Sequence, residues 1–508
     1  MRRDPLPPIV PAFDGPAPHR TLCTDCGVSR SSEPQRCASA CQFIRPDYAA
    51  AEARVHGRAR DPARPDELHF GPLRRMVRAR LKAPLAGAQW TGITTRIAER
   101  LLETGAVDAV IATASDPADR WRPVPVLITD ARDIADCRGM KMGHAPLLAL
   151  LEPARAMGVK RLAVVGIPCQ VYALRALEAE LGFERLYVIG TPCSDNTSTE
   201  NFHQFLALLS DQPDTVSYLE FCADYHVELR FTHGEVRRIP FLQLPLSKLP
   251  NDFFPLTCRT CVDYTNVLSD LTVGYMGGEG QQWLIVRNPR GEELVQLLGE
   301  EMQLETVGSA GQRRGPVKGF LANARRAAGG LPLRRTPAWA KPLAAWLMPR
   351  IGPRGLEFAR ARVEMKAIES VLHLERQMPR RARHMIPPHV WALVKPYGLA
   401  PASAKETAMS TSPTPLPMPM PLPGARRWVE WGLHLMAIFA GAAASWVFGL
   451  RIGSYGLAGL LAVLGGVMAA ILAGGLLDLL WPQRAAAGKL TPDPAARAAP
   501  GAQNGAWS

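Results

Sequence analysis

The sequence predicts an α/β core, a mixed sheet with flanking helices, preceded by a cysteine-rich segment and followed by a helical part and a C-terminal hairpin. Three observations carry this. Between residues 71 and 300, short apolar runs alternate with stretches of helical spacing. Eight of the ten cysteines fall into four groups. After residue 427 the composition turns abruptly apolar.

Residues 1–20, "MRRDPLPPIVPAFDGPAPHR", are proline-broken and read as an arm; they lack the apolar segment of a signal peptide. The cysteines are therefore expected in a reducing compartment, where structural disulfides are rare. Residues 21–70 form the cysteine-rich segment. In 71–300, "AVDAVIAT", "RLAVVGIP" and "RLYVIGTP" read as buried strands, and "GITTRIAERLLETG" and "PLLALLEPARAMG" as helices. Alternation of this kind indicates an α/β core. Two strands end alike, in "GIPC" and "GTPC". A thiol then sits at each strand end, where α/β folds place their sites.

Residues 301–398 read as helical, and 399–427 as a proline-rich linker. In 428–481, "WGLHLMAIFAGAAASWVFGL" and "IGSYGLAGLLAVLGGVMAAILAGGLL" are each long enough to span a bilayer as a helix. Small residues suit close packing in lipid. Basic residues flank both ends, which predicts a membrane protein whose domain and termini are cytoplasmic. Residues 482–508 read as a disordered tail. The net charge of +13 is scattered, with no aromatic-interleaved basic stripe, so nucleic acid is not an expected partner.

The thiols are Cys23, Cys26, Cys37 and Cys41; Cys169; Cys193; and Cys258 and Cys261. Eight is the number that two four-cysteine iron–sulfur clusters require. Cys-x-x-Cys pairs also hold structural zinc, and spacing does not separate the two. The lone strand-end cysteines favour iron–sulfur, because a zinc ribbon has no use for them. Cys137 and Cys222 have no partner pattern and read as buried apolar residues.

Longer strings carry a family resemblance. They are "GAQWTGI" (87–93), "CQVYALRALE" (169–178), "GTPCSDNT" (190–197), "CVDYTNVLSDLTVGYMG" (261–277), "VRNPRG" (286–291) and "GPRGLEFAR" (352–360). Over residues 20–398 the chain resembles the beta subunits of deazaflavin-reducing hydrogenases and formate dehydrogenases. It resembles more closely the ferredoxin-dependent chlorophyll-pathway reductases of that superfamily, which act on 8-vinyl or 7-hydroxymethyl groups.

The resemblance implies FAD, two [4Fe-4S] clusters, reduced ferredoxin as electron donor and a Mg-tetrapyrrole substrate, with reduction of the 8-vinyl group of a divinyl chlorophyllide as the reaction. It makes the eight cysteines the cluster ligands and 21–70 an iron–sulfur segment. The family's first motif has a third cysteine where this chain has Ser29; Cys37 restores the count. The flavin contacts it implies are Gln89, Trp90, Thr91 and Gly92, with Arg138 and Lys141 from "CRGMKMGHAPL", where Met142, Gly143 and His144 depart from the family pattern. Proton-donor candidates are His144, Asp263 and Tyr264. The hairpin lies outside the resemblance and would keep the domain near membrane-held pigment.

Overall fold

The computed structural model describes residues 22–331 apart from 45, 223, 276 and 278–280, then 340–401, and short stretches between 432 and 466. The predicted arm, most of the linker and the tail lie outside the described residues. Chain contacts divide the protein into two units, Met1–Thr414 and Pro415–Ser508.

The first unit is built on strands β1 (Arg75–Leu81), β2 (Ala109–Asp116), β3 (Asp119–Ile128), β4 (Arg161–Gly166) and β5 (Arg185–Gly190). A small antiparallel sheet follows from β6 (Val216–Phe221), β7 (His226–Phe231) and β8 (Val236–Pro240). The chain then returns to the main sheet with β9 (Leu271–Tyr275), β10 (Gln282–Val286) and β11 (Met302–Glu305). The eight-stranded order is β11-β1-β10-β9-β5-β4-β2-β3. The middle pairs β9–β5, β5–β4 and β4–β2 are parallel and the outer pairs antiparallel. The predicted mixed sheet is therefore present. Its central strands are buried on both faces, as Val110, Ile111, Leu162, Val164 and Val188 show, because helices cover parallel strands from both sides.

Helix Ile93–Glu103 turns Ile93, Ile97 and Leu101 inward at four-residue spacing. Helix Pro168–Leu181 starts directly after β4 with Pro168 in its first turn. Ser198 and Asn288 cap their helices by accepting from the backbone N–H groups of Asn201 and Gly291. The long helix Leu356–Gln377 buries Val363, Ala367, Ile368, Val371 and Leu374.

Three of the resemblance strings meet in one buried ion cluster. Asp270, at the head of β9, accepts from Arg175 at 2.7 Å, Asn288 at 2.7 Å, Arg290 at 2.9 Å and the Val188 N–H at 2.7 Å. Burial alone would push its carboxyl up, but the Arg175 and Arg290 guanidiniums and these bonds outweigh burial and hold it below the usual range.

One expectation is corrected in the second unit. Among the described residues no helix is long and apolar enough to cross a membrane. The described helical residues inside the expected hairpin are 432, 435–436, 438–444, 446–447 and 462–466. The transmembrane hairpin over 428–481, and the membrane localisation drawn from it, are therefore not supported; the rest of that stretch lies outside the described residues. The small residues do permit close approach: a Cβ on Gly466 would stand 3.3 Å from the Ile438 carbonyl oxygen and 3.7 Å from the Ala442 Cβ.

Candidate active site

The parallel register places Gly166 beside Gly190, so the two Gly-x-Pro-Cys turns leave the sheet at one level. Asn266 ties them together. Its amide donates to the Gly166 carbonyl at 2.8 Å and the Thr191 carbonyl at 3.3 Å. A Cβ on Gly190 would lie 2.6 Å from the Asn266 side chain, so glycine is required there. Asn266 has φ of 57°, a left-handed conformation that asparagine tolerates. The turns carry Cys169, in the first turn of its helix, and Cys193. Cys258 sits on the short helix Leu256–Thr260, and Cys261 caps it.

These four thiols lie within Coulombic reach of one another. Burial raises Cys169 well above the usual thiol range, and Cys261, Cys258 and, from the N-terminal segment, Cys26 add to the rise; Cys193 is raised by burial and then by Cys258, Cys169 and Cys261. Cys258 is pushed up to about 12 and Cys261 to about 11, burial again leading. In chain order these four are the second quartet, and the N-terminal segment makes the first. Burial pushes Cys26 up to about 12, with added repulsion from Cys41, Cys37 and Cys23; burial, Cys37 and Cys23 also raise Cys41. Cys37 thus stands with the other three, whereas Ser29 lies on the turn Val28–Arg30. Among the described residues no disulfide joins any cysteine, and no three donors are grouped closely enough to hold a single metal ion.

Nitrogen donors point at the sulfurs. Asp25 N–H donates to Cys23 at 3.3 Å, Asn196 N–H to Cys258 at 3.4 Å, and Gln42 Nε2 to Cys261 at 3.7 Å. His144 Nε2 lies 3.9 Å from Cys258 Sγ, and burial lowers that imidazole to about 4, so it is neutral near pH 7. Cys137 and Cys222 stand elsewhere, beside Lys141 and beside Glu220 and Arg238.

The expected flavin residues come from two segments that the fold brings into contact. Arg138 reaches the Ala86 carbonyl at 3.4 Å, and a Cβ on Gly139 would meet the Gly87 carbonyl oxygen at 3.5 Å. Thr91 donates to Gln282 and accepts from the Leu81 N–H at 3.2 Å, which pins the loop to β1 and β10. Gly92, with φ of 89°, opens the helix Ile93–Glu103. Trp90 also has positive φ, 51°, and its N–H donates to Glu220 at 2.7 Å. Trp90 Nε1 and Arg138 Nε are buried without a partner. Arg138 pairs with Glu99 at 2.8 Å. Lys141 donates to the Arg138 carbonyl at 2.8 Å, and burial lowers it to about 8. Gln89 is half-buried in the same loop. Beside Thr91 opens a cleft of about 510 Å³ walled by Arg80, Lys82, Gln281 and Gln303.

Trp90 packs on Tyr275 at 5.4 Å between ring centroids; Tyr275 lies within Coulombic reach of Tyr264, and Tyr264 of Cys193. Sequence reasoning missed the cations at this junction. Lys366 is buried on Leu356–Gln377 between Asp195 at 2.7 Å and Glu369 at 3.0 Å. Its charge opposes the rise of both Cys258 and Cys261. Arg362, one turn earlier, bonds Ser194 and lies over the Tyr264 ring at 5.8 Å.

Known proteins are similar to this chain in sequence. Residues 76–152 match the N-terminal domain, and 159–310 the C-terminal domain, of the coenzyme F420 hydrogenase/dehydrogenase beta subunit. An uncharacterized protein of Nostoc sp. is 35% identical over 75% of this chain and 95% of its own length. A protein of Oryza sativa named 7-hydroxymethyl chlorophyll a reductase, chloroplastic, is 36% identical over 75% of this chain and 84% of its own. A component of the F(420)H(2) dehydrogenase of Methanosarcina mazei is 28% identical over 43% of this chain and 61% of its own. The Nostoc and rice relatives match most of their length, and the chain belongs to the family of coenzyme F420 hydrogenase/dehydrogenase beta subunits.

Proposed function

We propose that the protein is an iron–sulfur flavoprotein reductase that takes electrons from reduced ferredoxin and reduces the 8-vinyl group of a divinyl chlorophyllide to ethyl. The observation that supports this reading is the grouping of eight thiols within Coulombic reach of one another in two sets, beside a loop with unpartnered donors, in a chain 36% identical to a protein named 7-hydroxymethyl chlorophyll a reductase.

The thiols fit clusters better than a lone ion. One zinc holds every sulfur at about 2.3 Å, which crowds the donors together. Among the described residues no such close group exists, while a four-iron cluster takes its thiolates on separate irons. N–H donors aimed at the sulfurs suit thiolate ligands. The flavin-motif loop fits a cofactor with phosphates and a flat ring: Lys141 and Arg138 are cations, and Trp90 Nε1 and Arg138 Nε lack a partner. When bound, the two [4Fe-4S] clusters would pass single electrons and FAD would collect them in pairs for the substrate.

The chain's own groups position and protonate. Cys169, Cys193, Cys258 and Cys261 would hold the cluster nearer the flavin loop; Cys23, Cys26, Cys37 and Cys41 would hold the other. Gln89, Trp90, Thr91 and Gly92 would seat the flavin. Among the proton-donor candidates, burial pushes the Asp263 carboxyl up to about 6, with Arg287 opposing, so it can carry a proton close to neutral pH. Lys366 holds positive charge beside the second quartet.

The name of the rice relative favours a second reading, reduction of a 7-hydroxymethyl group. Anaerobically purified protein is expected to contain flavin and about eight iron per chain, and to convert divinyl to monovinyl chlorophyllide with reduced ferredoxin. Turnover of the hydroxymethyl pigment alone would move the assignment to the second reading. Zinc without flavin would end both.

A further inference from the structure

The two quartets are stitched together by the residues that follow their first and last N-terminal cysteines. Thr24, next to Cys23, is buried beside Cys169 and favours its thiolate, opposing the rise that burial causes. Gln42, next to Cys41, donates from Nε2 to the Cys261 sulfur at 3.7 Å. Both side chains are buried. The Gln42 amide is held in that orientation by Tyr48, whose hydroxyl donates to Gln42 Oε1 at 2.7 Å. Tyr48 is in turn packed edge-on against Tyr172 and His389 at 5.2 and 5.9 Å. Each half of the N-terminal segment therefore offers two cysteines to its own quartet and, directly after Cys23 or Cys41, a buried polar side chain to the other.

We propose that Thr24 and Gln42 are positioning residues that raise the reduction potential of the centre held by Cys169, Cys193, Cys258 and Cys261, and that they link the two centres. A donor aimed at a ligating sulfur favours the more negative, reduced state of a cluster, and its removal lowers the potential. In water-poor surroundings that effect is stronger than at a surface. From Cys41 the link to the other quartet is one peptide unit, one side chain and one hydrogen bond. This arrangement makes the N-terminal segment, and not only its thiols, part of the second centre.

The proposal rests on the iron–sulfur reading above, and its test separates the two. The full-length protein is purified without oxygen, its iron counted, and both centres titrated by EPR-monitored reduction. Thr24→Val keeps the shape and removes the hydroxyl; Gln42→Met keeps the length and removes the amide; the two variants test the idea independently. In each, the midpoint of one centre is expected to fall while the other stays, with iron still near eight. In the double variant the reduction equilibrium of that centre is expected to weaken about tenfold, about 59 mV for one electron. Tyr48→Phe, which frees the Gln42 amide, is expected to move the same midpoint in the same direction by less. Unchanged midpoints in Thr24→Val and Gln42→Met, with iron intact, would overturn the coupling and leave the iron–sulfur reading standing. Absence of iron from the wild-type protein would overturn that reading and the coupling with it.

Discussion

Asp270 shows how much a single carboxylate holds in place. It is fully buried and accepts from four donors on three segments. Asp270→Ala removes the buried carboxylate partner of Arg175, itself fully buried and left with the more exposed Glu178, and a broken buried pair costs about 3–5 kcal/mol. A chemical-denaturation midpoint well below wild type is the expected outcome. The pH dependence has a definite sign. The folded carboxyl lies below its unfolded value, so its contribution is complete above about pH 4 and is lost as pH falls through the lower folded value. Lys366 carries the opposite charge in a comparable setting. Lys366→Met strands Asp195 and Glu369 and removes the cation nearest Cys258 and Cys261. Stability is expected to fall by about 3 kcal/mol or more, and iron retained after dialysis against a chelator to fall with it. Neither residue is legible as special from its neighbours. Asp270 lies inside a string known only by resemblance, and Lys366 looks like one more helix lysine.

At the scale of elements, the two Gly-x-Pro-Cys turns are legible because a strand followed by a turn is a local pattern. Their alignment is not: it depends on the parallel register that sets Gly166 against Gly190 and on Asn266, some 75 to 100 residues further along, bonding both. Asn266→Ala frees the turns and removes two buried hydrogen bonds. A stability loss of about 1–3 kcal/mol is expected, together with selective loss of iron from the second quartet, read as one of two EPR signals. The helices over 93–103 and 168–181 are legible too, since apolar residues recur each turn and Gly or Pro marks the start. The expected hairpin over 428–481 is not supported, since among the described residues no helix is long and apolar enough to cross a membrane; hydropathy counts apolar residues and does not measure continuous helix.

For the whole molecule, buried histidines add a further acid sensitivity. Burial lowers His56 to about 3 and His373 to about 4, against about 6.5 in an unfolded chain. Groups depressed in this way favour the fold while neutral, so their contribution is full above about pH 6.5 and shrinks as pH falls toward 4. Unfolding followed between pH 7 and 4 is expected to show declining stability before Asp270 begins to titrate; a flat profile would contradict the burial of these rings. The sequence alone determined the mixed α/β core, the number of thiols and the local motifs, because periodicity, turn chemistry and Cys-x-x-Cys spacing act over a few residues. Only the tertiary structure brought Cys37 within Coulombic reach of Cys26 and Cys41, Gln42 within hydrogen-bonding reach of Cys261, and Lys366 within Coulombic reach of Cys258 and Cys261. Those partnerships join residues up to a few hundred positions apart, and they exist only where sheet register and helix packing bring the segments within hydrogen-bonding or Coulombic reach.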